Sequence, residues 1–209
     1  MNSEEVYITG SCILRHNSIR LNGDLLWETN RETDLQEWLR AGYDRFFGQY
    51  PKFHKMDALS KLGWLAAEIL LKDTPVLSLP PETVGMVLSN RSGSLDTDLR
   101  YYATVKDIAS PALFVYTLPN IVMGEICIRH GFKGENTFFV SETFDTELMS
   151  SYPAQLLTNT PLQACLCGWV EVMDQQYEVA LFLLEKEKRG LAQPLTAAAL
   201  DALYQKNKY

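Results

Sequence analysis

The amino-acid sequence predicts an α/β fold in which a mostly parallel sheet lies between helical layers and includes one antiparallel strand. Strand-like and helix-like segments follow one another in the order β, α, β, α, α, β, α, β, β. Residues 83–89 form a mostly apolar run, which is typical of a central strand covered on both faces. The 209 residues, of which 46% are apolar and 22% charged, suffice for one substantial core. We therefore expect a single domain over residues 1–209.

The first part of the chain predicts strands and then two helices. Glu5 to Arg15 alternates and is rich in β-forming residues, and Ser18 to Trp27 is interrupted by Asn22-Gly23, a strong hairpin signal. From Thr33 to about Phe47 apolar residues recur at helical spacing. A longer helix with one apolar stripe is predicted from about Met56 to Lys72.

The middle of the chain follows the apolar strand with two more helices. A polar turn, residues 90–94, leads into an amphipathic helix near Leu95 to Lys106. Pro119 suits the first turn of a helix over Asn120 to His130, and Gly131 ends that helix. Because this last helix is mostly apolar, we expect it to be buried.

The last part of the chain predicts three strands and two helices. Thr137 to Ser141 is strand-like, and Thr146 to Leu157 is helical. Gln163 to Met173 and Tyr177 to Glu185 are strand-like and separated by a short polar turn, which predicts antiparallel neighbours. A terminal helix is predicted from about Leu195 to Gln205.

Composition excludes several functional classes. The net charge of −7 and the pI near 5.0 argue against nucleic-acid binding, which needs a surplus of Lys and Arg on at least one face. The acidic, polar start, Met1 to Glu5, does not resemble a secretory signal, so we expect a cytoplasmic protein. The longest apolar stretches, Trp64 to Leu71 and Val179 to Leu184, are too short to span a bilayer, so we expect no membrane contact.

Neither a metal nor a cofactor is predicted. The four cysteines, at 12, 127, 165 and 167, are scattered and indicate buried apolar side chains rather than disulfides. Cys165 and Cys167 lie on one face of a strand, but no second ligand pair accompanies them. The turn at residues 90–94 lacks the Gly-Lys-Ser/Thr ending of a phosphate loop.

The segment from Ser110 to Asn136 carries the most specific signal. Pro119-Asn120 leads into the buried helix, and Arg129, Gly131, Gly134 and Asn136 follow as Arg-x-Gly-x-x-Gly-x-Asn. This segment resembles β-ketoacyl synthases, in which a Pro-Asn loop, a buried helix and this run precede the strand that carries the nucleophile.

Other segments resemble the same family in the same order. Tyr7 to Gly10, Lys55 to Asp57 and Val84 to Leu88 resemble the opening strand, the start of the first long helix and the strand before the glycine-rich turn. Cys167 to Glu171 resembles the Gly-Gly-x-Glu strand, with Trp169 in place of the second glycine. The resemblance covers nearly the whole chain but only the amino-terminal half of a ketosynthase. It implies a thiolase-like half with a layered, mixed, mostly parallel five-stranded sheet between helices.

The resemblance places the family's active cysteine at or near Thr143. A threonine hydroxyl has no ionised fraction comparable to that of a thiolate at a helix amino-terminus, and no base is apparent beside it. The family's two downstream histidines have no counterpart, because all three histidines here, at 16, 54 and 130, precede Thr143. We expect no condensing activity from this chain alone.

Each candidate site residue also has an ordinary structural interpretation. Thr143, Asp145 or Thr146 would cap the following helix, and Glu171 would be a hydrogen-bonded structural carboxylate. Arg91, in the turn after the buried strand, either binds a ligand or lies in a surface turn. His130 would cap the carboxyl end of its own helix.

Four aromatic residues would line an acyl pocket or pack the core, namely Phe114, Tyr116, Phe138 and Phe139. In family dimers the strand before the nucleophile pairs across the twofold axis and the Pro-Asn region borders the acyl tunnel. The resemblance therefore makes Thr137 to Ser141 and Leu113 to Met123, which includes Pro119 and Asn120, the candidate interface.

The leading hypothesis is a noncatalytic partner of a complete ketosynthase, similar to the chain-length factors of polyketide and aryl-polyene pathways. The chain would form either a homodimer or a heterodimer with a complete ketosynthase. Lysines at 52, 55 and 61, with Arg129 and Lys133, would offer a basic surface to an acyl carrier protein or would form a solvated helix face. The alternative is an independent acyltransferase or acyl-binding protein that uses Thr143 or a cysteine.

Overall fold

The computed structural model describes residues 5–30 and 32–206. Residues Met1 to Glu4, on which the cytoplasmic prediction partly depends, lie outside this part of the chain. The strands are β1 (Tyr7–Arg15), β2 (Ser18–Leu21), β3 (Asp24–Glu28), β4 (Val84–Asn90), β5 (Asn136–Val140), β6 (Ala164–Met173), β7 (Gln176–Glu185) and β8 (Gln193–Pro194). The α-helices are α1 (Leu35–Phe46), α2 (Ala58–Leu71), α3 (Leu95–Thr104), α4 (Pro111–Phe114), α5 (Ile121–His130), α6 (Thr146–Asn159) and α7 (Ala197–Gln205).

One mixed sheet runs through the molecule in the order β3-β2-β1-β7-β6-β4-β5, with β8 beside β1. The predicted α/β class, a sheet between helices, is confirmed. The sheet has eight strands rather than five, because the hairpin of β2 and β3, with its turn at Asn22-Gly23, and the short β8 extend it beyond β1. Among the described strands, only β4 with β5 and β4 with β6 pair in parallel, so the sheet is less parallel than predicted. The remaining pairs are antiparallel. They include β6 with β7, which a tight turn joins, and β1 with β7.

Helices cover both faces of the sheet. Helices α1, α2 and α5 pack with one set of strand residues, which includes Leu181, and α6 and α7 pack with the alternate set, which includes Phe182. Cys165 and Cys167 both lie in the second set, which confirms that they share one face of a strand. Because successive strand residues point to opposite faces, β7 contributes to both cores.

Helix α2 is enclosed almost completely. Thirteen of its fourteen residues are buried, and an aromatic group packs around Trp64. Tyr50 stacks on Trp64 with ring centroids 5.4 Å apart, and Tyr43 stacks on Phe53 at 4.4 Å. Asp57 caps the helix by accepting a hydrogen bond from the backbone N–H of Ser60 (2.9 Å).

Two glycines fix the backbone around the parallel strands. Gly131 has a φ of 76° and ends α5, as predicted. Gly168 on β6 has a φ of 152°, and a Cβ atom there would lie 2.0 Å from the carbonyl oxygen of Ala180 on the neighbouring strand. A side chain at position 168 would therefore force β6 and β7 apart.

Helix α5 is less buried than its composition predicts. Val122 and Ile126 are fully buried, but 66% of Ile128 is exposed.

Within residues 5–30 and 32–206, no helix has both the length and the apolar character needed to cross a bilayer.

Candidate functional site

The carboxyl ends of the parallel strands bring three of the predicted site residues to one edge of the sheet. Arg91 directly follows β4, and Glu171 is two residues beyond the β6 residue that pairs with Ser89. The backbone N–H of Ser141, after β5, donates to the carbonyl of Asn90 (2.9 Å). Thr143, two residues further on, therefore follows the same edge as Arg91 and Glu171.

Glu171 fixes the turn that contains Arg91. Its Oε2 atom accepts hydrogen bonds from the backbone N–H groups of Arg91 (2.7 Å) and Ser92 (3.1 Å). The Oε1 atom is buried and has no hydrogen-bond partner among the described residues. The backbone of Arg91 is thus positioned by Glu171, while its side chain is exposed.

Thr143 lies in an exposed bend between β5 and α6. Its carbonyl accepts a hydrogen bond from the Ser141 hydroxyl (3.0 Å). Among the three residues predicted as possible caps, Asp145 caps α6, since its carboxylate accepts from the backbone N–H of Leu148 (3.0 Å). Glu147 adds a second carboxylate to the first turn. These acidic groups already compensate the partial positive charge of the helix end.

A bulky aromatic group lies beneath the bend. Phe144 is buried and stacks on Phe182, with centroids 5.9 Å apart, and it contacts Tyr204 at 4.7 Å. Trp169, which is 4% exposed, contacts the edge of Phe144 at 6.4 Å. At the position where the resembled family has a glycine, this chain therefore places a buried indole in the core.

The candidates around α4 and α5 divide between surface and core. Phe114 is 60% exposed and contacts the ring of Tyr101 at 5.4 Å. Tyr116 is buried, and its hydroxyl donates to Oε1 of Glu125 (3.1 Å). Burial, together with the charge of Glu125, raises the pKa of Tyr116 well above its ordinary value, so the phenol is protonated at neutral pH. Pro119 is half-buried and Asn120 is exposed, just before α5.

Within the part of the chain that the structure describes, β5 is an edge strand that pairs on one side only, with β4. Phe138 packs against the core on the α2 side, and Phe139 contacts the ring of Tyr152 on the α6 side at 5.4 Å. Val140, at the end of the strand, is 62% exposed. The two phenylalanines therefore pack on opposite faces of the sheet.

Exposed apolar side chains are concentrated between α3 and α5. Ten of the thirteen large apolar residues that are exposed in the described part of the chain lie between positions 95 and 140. Eight of them lie on α3, on α4 or on the segment that follows either helix, and we call these residues together the α3–α4 apolar surface: Leu95, Leu99, Tyr102, Val105, Ile108, Phe114, Val115 and Leu118. The interface predicted from the sequence contains only three of these residues, Phe114, Val115 and Leu118. Leu95, Leu99 and Tyr102 nevertheless recur at helical spacing in the sequence.

The predicted basic residues are partly neutralised. Lys52 lies 2.6 Å from Oε2 of the buried Glu125. Arg129 bonds both oxygens of the buried Glu68, at 2.9 and 3.2 Å. His130 also lies 2.9 Å from Glu68, so it joins α5 to α2. Burial alone would raise the pKa of Glu68, but the hydrogen bonds and charges of His130 and Arg129 lower it below its ordinary value.

The cysteines are poor nucleophiles. Burial raises the pKa of Cys165 to about 12, and it also raises the pKa of Cys12, Cys127 and Cys167. A thiol acts as a nucleophile only as its thiolate. At neutral pH these side chains are therefore protonated.

A cleft of ≈ 830 Å³, which the sequence did not indicate, lies beside the turn between β1 and β2 and is lined mainly by residues of polar type. Its lining includes Arg15, which pairs with Glu178 at 2.5 Å and donates to the carbonyl of Tyr204 (2.6 Å). Glu32 and Asp34 add further carboxylates. Arg15 ties α7 to the sheet at this cleft.

Comparison with known proteins identifies the fold. No protein-family model and no curated protein sequence matches the chain. The ishigamide ketosynthase/chain length factor superposes with a TM-score of 0.62 and 19% identity, over 87% of this chain and 62% of the other. A type II polyketide synthase acyl-carrier protein in complex with its ketosynthase gives 0.58 and 17%, over 87% and 62%. A ketosynthase in complex with its chain length factor from Xenorhabdus doucetiae gives 0.60 and 12%, over 98% and 92%.

These likenesses establish the architecture. The chain has the thiolase-like fold of ketosynthase and chain length factor proteins. It spans 62% of the length of the first two matched chains, less than two thirds. The chain matched in the Xenorhabdus doucetiae complex is covered over 92% and is thus of similar length.

Proposed function

We propose that this protein is a noncatalytic ketosynthase-like subunit that works beside a complete β-ketoacyl synthase. In this role it resembles a chain length factor of fatty-acid, polyketide or aryl-polyene-type biosynthesis. The observation that carries the proposal is Thr143, an exposed threonine in a ketosynthase-like fold, at the bend where the family resemblance expects the cysteine. We further propose that residues 1–209 act as one cytoplasmic domain.

The surroundings of Thr143 favour a noncatalytic role. A nucleophile at this bend would have to form an anion at the start of α6, but Asp145 and Glu147 place negative charge there. The described contacts of the histidines lie elsewhere: His54 packs on Tyr43, and His130 binds Glu68. Among the described residues, no base forms a hydrogen bond with the Thr143 hydroxyl that would activate it.

Similar structures support a partner role. The ishigamide and Xenorhabdus doucetiae structures both contain chain length factors, and the second matches nearly the whole length of this chain. The free edge of β5 and the exposed Phe114, Val115 and Leu118 fall within the two segments predicted as an interface. An edge strand offers unpaired backbone groups to a second sheet.

An acyl carrier protein is the second partner in this proposal. One of the similar structures contains a carrier protein bound to its ketosynthase. Because Lys52 and Arg129 already pair with buried carboxylates, the carrier would dock on the assembled pair rather than on these side chains alone.

Co-expression with the ketosynthase encoded beside it tests the proposal. We expect the two chains to co-purify, and the length of the acyl product to change when this chain is omitted. The Thr143→Ala variant should support the same product at the same rate as wild type. If the chains neither co-purify nor alter product length or synthase activity together, the proposal is wrong.

Intact-mass measurement after incubation with acyl carrier thioesters distinguishes an independent acyltransferase. We expect no covalent adduct on the wild-type chain. An adduct that disappears in Thr143→Ala would establish acyl transfer and contradict the noncatalytic role. A second variant, Thr143→Cys, tests how reactive a thiol would be at this bend. Because Asp145 and Glu147 disfavour a thiolate there, iodoacetamide should alkylate it slowly at neutral pH.

A further inference from the structure

Helix α3 has the reverse of the usual arrangement of polar and apolar residues. Its buried residues are polar, Asp96 (8% exposed) and Thr97 (2%). Its exposed residues include Leu95 (45%), Leu99 (52%) and Tyr102 (69%). The apolar stripe of a surface helix normally faces the core. In α3 the apolar stripe faces outward instead.

The buried polar residues fix the rotation of α3. The hydroxyl of Thr97 donates to Oδ2 of Asp57 at the start of α2 (2.7 Å). Oδ1 of Asp96 accepts from the backbone N–H of Asp174 in the turn between β6 and β7 (2.9 Å). Rolling α3 about its axis to bury its leucines would break both bonds and leave buried polar groups unpaired. The stripe is therefore held outward by specific contacts.

The exposed stripe continues into the region already assigned to the interface. Val105 (48% exposed) and Ile108 (86%) extend it beyond the end of α3. The rings of Tyr101 and Phe114 meet with centroids 5.4 Å apart and connect α3 to α4. At roughly 100 Å² for each half-exposed side chain, the α3–α4 apolar surface amounts to on the order of 800 Å².

Summed over its eight members, this exposed area is comparable to one partner's share of a standard protein interface, about 800 Å². We propose that the outward stripe of α3, Leu95, Leu99 and Tyr102, is a contact surface for the ketosynthase subunit, separate from the edge of β5. The inference rests on the proposed function and commits to that partner. It adds a recognition element that the interface predicted from sequence did not include.

The test compares four variants in a binding assay with the co-expressed ketosynthase. Leu99→Asp combined with Tyr102→Asp places charge on the stripe, Val140→Asp places charge at the edge of β5, and Leu77→Asp is a matched control on a remote residue of similar exposure (46%). We expect the double variant to weaken binding at least tenfold and Leu77→Asp to leave it unchanged. Circular dichroism should show the wild-type thermal midpoint for the isolated double variant. Tyr102→Ser, a milder change, should weaken binding less.

The outcomes separate the two proposals. If the double variant binds the ketosynthase as tightly as wild type, the role of α3 is wrong and the proposed function stands. If the wild-type chain does not bind the ketosynthase, the proposed function fails and the ketosynthase is not the occupant. If the wild-type chain dimerises by itself and the double variant is monomeric, the occupant is a second copy, which also overturns the inference.

Discussion

Helices α2 and α3 place their leucines in opposite environments. Helix α2 has thirteen of fourteen residues buried, and Leu62 is fully enclosed by the sheet and the aromatic group around Trp64. Helix α3 buries Asp96 and Thr97 and leaves Leu99 half exposed. A hydrogen bond from Thr97 of α3 to Asp57, the N-cap of α2, links the two helices.

This difference separates a region whose apolar side chains the chain itself encloses from a region whose apolar side chains stay exposed. The layer around α2 encloses its apolar side chains without help from another molecule. The region from α3 to β5 leaves large apolar residues and one sheet edge uncovered. The stability of the fold should therefore depend on the first region and its assembly on the second.

The largest expected effect is on α2. Leu62→Ala removes a fully buried side chain and leaves a cavity, so it should lower the free energy of unfolding by about 2–5 kcal/mol. Urea denaturation followed by circular dichroism measures the change. A loss below about 1 kcal/mol would show that α2 is not closely packed.

The bond between the two helices should have an intermediate effect. Thr97→Val keeps the shape of the side chain and removes its hydrogen bond to the half-buried Asp57, at a cost of about 1.5–3 kcal/mol. Burial is the main cause that raises the pKa of Asp57, and the bond from Thr97 opposes it. The pKa of Asp57 should therefore rise further in the variant. The exposed Thr158→Val serves as the control for urea denaturation.

A smaller, pH-dependent effect should come from Glu68, which links α2 to α5. Because its pKa in the folded state lies below the ordinary 4.5, its contribution to stability is present above pH 4.5 and is lost as the pH falls through the folded value. Glu68→Gln should be less stable than wild type at pH 7 and should lose less stability below pH 4.5. Urea midpoints across pH 3–7 test this, with the exposed Glu28→Gln as control. Parallel curves for wild type and Glu68→Gln would contradict it.

The smallest effect on stability should come from α3. Leu99→Ala truncates a half-exposed side chain and should change the free energy of unfolding by less than about 0.5 kcal/mol. The same denaturation experiment measures it beside Leu62→Ala. A loss comparable to that of Leu62→Ala would mean that α3 packs within the chain and would remove the basis of its role in assembly.

Most elements could be predicted from local signals. The Asn22-Gly23 turn, the end of α5 at Gly131 and the close pairing of β6 and β7 follow from turn chemistry and periodicity, which depend on neighbouring residues. The width and direction of the sheet could not be predicted in this way. Pairing of β1 with β7 and β8 joins residues at least 165 positions apart, and no local pattern encodes it.

The candidate site was predictable in position but not in detail. Arg91, Thr143 and Glu171 lie at one edge of the sheet, as the ends of parallel strands require. The sequence offers three residues that could cap α6, and only the backbone geometry shows that Asp145 is the cap. The outward face of α3 was not predictable, because helical spacing identifies a stripe but not the side on which the core lies. The roles of the site residues stay predictions.

The edge of β5 has a consequence for producing the protein. Natural proteins place charged residues and prolines on edge strands, which prevents two sheet edges from joining. Residues 136–140 contain neither. Under the proposed function, a chain made in excess of its partner would expose this edge to other copies of itself. We therefore expect the soluble yield to follow the ratio at which the two genes are expressed rather than the amount of this protein alone.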